Sequence, residues 1–305
     1  MSSVLSAIFE PGFFGSGPVR DALVTGTIVA LVSGAVGVFT VLRSQSFAGH
    51  ALSDLGTLGG SGAYLAGTSP LLGIAGVGMV VAGLMDLFGA ERKRSRDVST
   101  GIVLGGVLGL SALFLYLDAT RTSTTGAAVT ILFGSLFAVT GDTLPATVAL
   151  GGLGLATLAV LYRPLLLSSV DNDLAAARGV PVRLLGLAFL ATMGIAVSLS
   201  ALTVGTILSP ALLIGPAATA LRLTRRPAAA MALAAALGLV STWLGVLLAY
   251  DSYHWPPAGS DGWPVSFFIM ALIFLGYLAG GPVSRLRERR ATGPSTVPAT
   301  TVAEV

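Results

Sequence analysis

The chain has 305 residues, of which 54% are apolar and only 10% charged, with a mean hydropathy of +0.87, a net charge of +3 and no cysteine. Soluble domains carry about 25% charged residues, so a water-soluble globule and a disordered chain are both excluded, and a polytopic helical membrane protein remains. The missing cysteines remove disulfides, thiolate metal sites, iron–sulfur clusters and cysteine nucleophiles.

The first stretch, MSSVLSAIFEPGFFGSGP, has neither a basic start nor a long apolar core. It reads as a short lead-in over 1–17, not as a cleavable signal peptide. A spanning helix needs about 20 mostly apolar residues. The hydrophobic runs predict spans near 20–42, 47–67, 70–90, 98–117, 144–162, 182–203, 205–221, 228–250 and 263–283, eight or nine in all. The run 126–143 is apolar but short and predicts a partial helix. Two spans look unusual. The 47–67 run, FAGHALSDLGTLGGSGAYLAG, is Gly-rich with His and Asp inside it; the 205–221 run carries Pro210 and Pro216. Both are expected to be broken or re-entrant, which is tolerated where backbone faces protein or a water-filled path.

Charge sets the expected orientation. Fifteen of the seventeen Lys and Arg residues fall in or beside the stretches 43–46, 91–97, 163–181, 222–227 and 284–290, leaving only Arg20 and Arg121 elsewhere. By the positive-inside rule these stretches are cytoplasmic, and so is the C-terminus. The basic pI of about 9.6 thus reads as membrane topology and not as nucleic-acid binding. Trp255 and Trp263, in the polar stretch 251–264, suit an interfacial aromatic belt on the other side. The end of the chain, 284–305, is basic and then Pro/Thr/Ala-rich, as expected of a disordered tail. The expected organisation is therefore a lead-in, a transmembrane body over 18–283 and a cytoplasmic tail, in a multi-pass protein of the cell membrane.

Chemistry is sparse. No P-loop, H-E-x-x-H, nucleophile elbow or dinucleotide fingerprint occurs, so the chain is not expected to be an enzyme or to bind ATP itself. Of fourteen acidic residues nearly all sit in loops or at span ends; Asp54 is the exception, and His50 lies four residues before it. An i, i+4 pair shares a helix face. Imidazole with carboxylate suits Mn²⁺, Fe²⁺ or Zn²⁺, and ionisable groups at membrane depth usually mark an ion path. A His–Asp contact that merely ties helices together is the plainer alternative, and two ligands are too few for a full transition-metal site unless a second subunit adds more. Asp142, after a Thr-Gly turn, reads as a helix cap. The basic run 219–227, TALRLTRRP, reads by itself as a topogenic loop.

Four stretches taken together are similar to the membrane subunit of ABC importers for manganese, zinc and iron. They are VGVFTVLRSQSFAGHALSDLGTLGGSGAYLAG (36–67), ILFGSLFAVTGDTL (131–144), AAARGVPVRLLGL (175–187) and LSPALLIGPAATALRLTRRPAAAMALAAALG (208–238). The likeness runs in order over about 18–283. One departure stands out: the family's Asp-x-x-x-His appears here as His50-x-x-x-Asp54. The resemblance implies an all-α permease bundle that imports a divalent metal, holds no permanent cofactor and pairs with a second permease copy. It also implies cytoplasmic ATPase subunits and an extracytoplasmic binding protein, and it turns 219–227 from a topogenic loop into an ATPase-coupling segment. Thr219, Arg222, Thr224, Arg225, Arg226 and Pro227 would then position the ATPase, and His50 and Asp54 would pass the metal. From the residues alone, a cobalamin- or siderophore-type ABC permease, an ion-coupled secondary transporter using Asp54, and a structural membrane protein remain open.

Overall fold

The computed structural model describes residues 13–77, 80, 96–121, 126–138, 141, 143–253 and 262–291. Among them there are helices, turns and no strand. Long helices are α1 (Gly17–Leu42), α2 (Ser46–Leu65), α3 (Arg96–Arg121), α5 (Leu144–Val170), α7 (Val182–Val204), α9 (Pro227–Ser252) and α10 (Val265–Ala291). Shorter ones are α4 (Gly126–Phe133), α6 (Asn172–Ala177) and α8 (Ser209–Leu223), and 70–77 is also helical. Among the described residues five helices are long and apolar enough to cross a membrane: α1, α5, α7, α9 and α10 up to Pro282. The expected run 70–90 lies mostly outside the described residues.

Burial sorts these helices into a centre and a rim. The most apolar window of α1 is 78% buried and that of α7 72% buried, whereas α5 reaches only 22%. A helix apolar all round and wrapped in protein is a core helix. Accordingly α1 touches α9, α8, α5 and α7, and α5, α9 and α10 turn apolar faces outward. In a bilayer the hydrophobic effect does not drive helices together, so close packing has to. Small residues provide it here. A Cβ on Gly34 would collide with the Ala235 backbone of α9, and one on Gly37 would overlap the Leu213 carbonyl of α8. Val38, Ala217, Ala220, Ala230 and Ala234 complete a cluster of small buried side chains between the same three helices. On the other side Phe39 meets Tyr162 and Phe189 edge-on, at 5.8 and 6.4 Å between ring centroids.

The two unusual segments resolve differently. The Gly-rich segment 47–67 is not broken: α2 runs without interruption from Ser46 to Leu65. It contains no proline, and its glycines serve packing, since a Cβ on Gly59 would overlap the Gly73 carbonyl. The 205–221 segment is broken, but not at its prolines. Pro210 sits in the first turn of α8, where its missing N–H costs nothing, and Pro216 is carried within the helix. The break is at Gly205, whose φ of +86° favours glycine. Residues 205–208 are unwound between α7 and α8.

Other boundaries also shift. Helix α5 continues through Pro164 to Val170, so Arg163 is helical, not in a loop. Asp171 caps α6, accepting from the amides of Asp173 and Leu174 at 2.8 and 3.0 Å. Asp142 lies outside the described residues. Just before α1, Phe13 is buried and meets Tyr250 edge-on at 5.3 Å.

A Gly37→Ala substitution tests the close packing. Overpacking of this kind costs about 1–3 kcal/mol. The purified variant should therefore unfold at a lower temperature than wild type, read by heat-dependent loss of the monodisperse chromatographic peak. Gly105→Ala, where a Cβ meets nothing within 4 Å, should match wild type.

Candidate translocation site

Helix α2 positions both singled-out ionisable residues. At 100° per residue, His50, Asp54, Thr57 and Ser61 lie within about 60° of one another. His50 Nε2 and Asp54 Oδ2 stand 3.8 Å apart, with side chains 55% and 22% exposed. That distance is too long for a hydrogen bond. It is close to the separation of about 3.4 Å between two ligands 2.1 Å from one metal at the tetrahedral angle. Among the described residues no group of three or more His, Cys, Asp or Glu comes together. One chain thus presents a two-ligand half-site open to its surroundings. His254 lies outside the described residues.

Further along the stripe the side chains are buried and fully engaged. Ser53 donates to the Thr206 carbonyl, so Ser209 supplies the proton for the 2.6 Å bond between the two serine hydroxyls. Thr57 donates to Thr206 Oγ1 at 2.8 Å, and Thr206 Oγ1 donates to the Ile131 carbonyl at 3.2 Å. This cluster joins α2 to the unwound 205–208 segment. The segment's amides are paired too: Thr206 N–H reaches the Ile131 carbonyl at 3.0 Å and Ile207 N–H the Leu132 carbonyl at 3.3 Å. The last carbonyls of α4, which no helix bond can satisfy, meet amides that have left theirs. Gly134 (φ +73°) and Gly205 lie back to back, with no room for a Cβ on either. Sequence reading had marked 205–221 and the short 126–143 run separately. The pairing between them depends on tertiary contact and carries no local signal.

The 219–227 residues divide. Thr219 is buried and donates to the Gly215 carbonyl at 2.9 Å, so it belongs to the interior of α8. Arg222 is exposed but turned onto α10, its guanidinium 3.9 Å from the Tyr277 ring centroid and donating to the Tyr277 hydroxyl. Thr224 Oγ1 accepts from the Arg226 amide at 3.3 Å, setting the turn, and Pro227 opens α9. Arg225 and Arg226 project from this turn, exposed.

Arg43 was singled out only for its charge, yet it braces the bundle. It donates to Ser168 Oγ of α5 and lies 5.7 Å from the Phe189 ring centroid of α7. Half-burial lowers its pKa from the ordinary arginine value.

The model of the ABC 3 transport family matches residues 18–279. The chain belongs to that family. It is 32% identical over 244 residues to the manganese transport system membrane protein MntC of Listeria innocua, covering 80% of this chain and 85% of the relative. It is 27% identical over 242 residues to the high-affinity zinc uptake system membrane protein ZnuB of Haemophilus influenzae, covering 77% and 90%. Its fold matches the structure of PsaBC from Streptococcus pneumoniae in complex with Fab, with a TM-score of 0.76 and 25% identity over 94% of this chain and 99% of that one. The chain is therefore an all-helical, multi-pass membrane permease subunit of an ABC importer and not an enzyme; ATP hydrolysis lies in separate ATPase subunits. Membership also implies a substrate-binding partner.

Thr206→Val tests the hydroxyl cluster. It removes the acceptor of Thr57 and a donor to Ile131, at a cost of about 1–3 kcal/mol. The variant should lose thermal stability and Thr206→Ser should restore it, measured by the same heat-dependent chromatography.

Proposed function

We propose that this chain is the permease of an ATP-driven importer of a divalent transition metal, with His50 and Asp54 facing the metal's path between two permease copies. The observation that carries this reading is the pair itself, an exposed imidazole beside a half-buried carboxylate. An imidazole and a carboxylate on a helix of a membrane bundle are costly against hydrocarbon, so they face water or protein. A second copy would cover them and contribute its own pair, making two nitrogen and two oxygen donors. Imidazole suits zinc and carboxylate suits manganese. The relatives' names point to the same two metals. The exchanged order relative to the family's Asp-x-x-x-His keeps both groups on one face, 3.8 Å apart.

Within this reading an extracytoplasmic metal-binding protein delivers the ion, and the C-terminus is cytoplasmic, as the clustered Arg and Lys residues favour. The turn carrying Thr224, Arg225, Arg226 and Pro227 docks on the ATPase. Thr219 and Arg222 act behind it, transmitting ATPase motion into α8 and α10. The metal is cargo and no covalent step occurs in this chain. His50 gives a neutral nitrogen and Asp54 a carboxylate oxygen, and protonated imidazole cannot ligate.

The test is metal uptake into proteoliposomes holding this chain with its ATPase and binding protein. Wild type should accumulate manganese or zinc with ATP, and Asp54→Ala and His50→Ala should each abolish accumulation while ATP is still hydrolysed. Undiminished uptake in both variants would show that the pair only ties helices together. ATP hydrolysis with no uptake of any divalent metal would favour a larger metal-chelate cargo.

A further inference from the structure

Helices α8, α9 and α10 enclose a cavity of about 190 Å³ lined by residues including Pro216, Thr219, Val240, Ser241, Leu244 and Ile273. Its space exists because Gly276 of α10 also lines it, and a Cβ there would meet nothing within 4 Å. The exposed side chains of Val240 and Leu244 leave it open to the surroundings of the bundle. The walls are apolar apart from two hydroxyls, and that of Thr219 is already spent on the Gly215 carbonyl. An occupant therefore presents hydrocarbon to this space.

Basic residues follow the cavity wall along α8. Arg222 lies one helical turn beyond Thr219, and Tyr277, adjoining Gly276, holds the Arg222 guanidinium over its ring at 3.9 Å. Arg225 and Arg226 follow within four residues, both exposed. The sequence carries no Asp or Glu between Asp173 and Asp251, so α7, α8, the turn and α9 up to Tyr250 offer these arginines no carboxylate. On α10, which Arg222 faces, the acidic residue is Glu288, eleven positions past Tyr277; Arg225 and Arg226 belong to the turn read above as facing the ATPase, so Arg222 is the guanidinium left to an occupant of the cavity. A water-soluble anion has no use for the apolar cavity, and a neutral lipid has no use for a guanidinium beside it. A single molecule that satisfies both ends has a hydrocarbon chain and a phosphate with net negative charge, and basic pockets between membrane helices bind such headgroups.

We propose that α8, α9 and α10 hold an anionic phospholipid, with an acyl chain in the cavity and the headgroup phosphate on Arg222. A lipid seated there touches the helix that leads into the 224–227 turn, so it braces α8 against α10. The site is independent of which ion is carried.

The test uses the full chain purified in detergent and native mass spectrometry. Phosphatidylglycerol and phosphatidylcholine with identical acyl chains are added in competition. Wild type should retain phosphatidylglycerol about tenfold over phosphatidylcholine, as expected where basic groups add to shared apolar contacts. Arg222→Ala should cut that preference several-fold, Arg222→Lys should keep most of it, and Gly276→Leu, which fills the cavity, should remove both lipids. A photo-cross-linker at position 240 should capture lipid in vesicles of phosphatidylglycerol. Equal retention of the two lipids by wild type would overturn the proposal. So would competition by glycerol phosphate as effective as by the lipid, which marks a water-soluble anion site. A cross-link from position 240 to a second permease copy would overturn it too, because the face would then be an interface between copies. Should Arg222→Ala lose its monodisperse peak, the wild-type lipid ratio and the cross-link decide alone.

Discussion

Backbone polar groups inside a bilayer have no water to fall back on, and the architecture turns on how that constraint is met at residues 205–208. An unwound stretch at membrane depth is tolerated only if protein satisfies it. Here the end of α4 does so, its Ile131 and Leu132 carbonyls receiving the amides of Thr206 and Ile207. Each partner solves the other's problem. The hydroxyls of Ser53, Thr57 and Ser209 then fasten α2 to the same point. The helix bearing His50 and Asp54 is thereby registered against the break between α7 and α8.

The second organising feature is the small-residue surface of α1. Gly34 and Gly37 bring the backbones of α9 and α8 into direct contact with it. Those two helices meet at the 224–226 turn, with Arg222 tied to α10 just before it. A push on the turn is therefore felt along α8, whose other end is Ser209 in the hydroxyl cluster. The 224–226 turn and the helix that carries His50 and Asp54 are thus linked by one helix of 15 residues.

Much of this was legible in the sequence. Long apolar runs gave most spans, because length and hydropathy alone decide whether a helix can cross a bilayer. That His50 and Asp54 share a helix face was legible from their spacing. What stayed hidden depends on contacts distant in the chain. Prolines 210 and 216 suggested a break, but proline is harmless in a first helical turn, and the break fell at Gly205. The glycines of 47–67 suggested another, yet in a packed bundle glycine is a contact surface before it is a helix breaker. Arg43 looked like a topology marker, and only the fold shows it reaching Ser168 and Phe189. Thr219 looked like part of a docking loop, and only the fold shows it buried.

The bond between Thr206 and Ile131 spans 75 residues. A ribosome feeding this chain into a membrane releases α4 well before the amides that will receive its terminal carbonyls. Eight residues are also too few to cross a bilayer. During synthesis α4 has to rest at the interface, or in the insertion machinery, until α7 has been threaded and Thr206 arrives. The pairing at the middle of this protein thus waits on residues made 75 positions later, and the order of assembly differs from the order of synthesis.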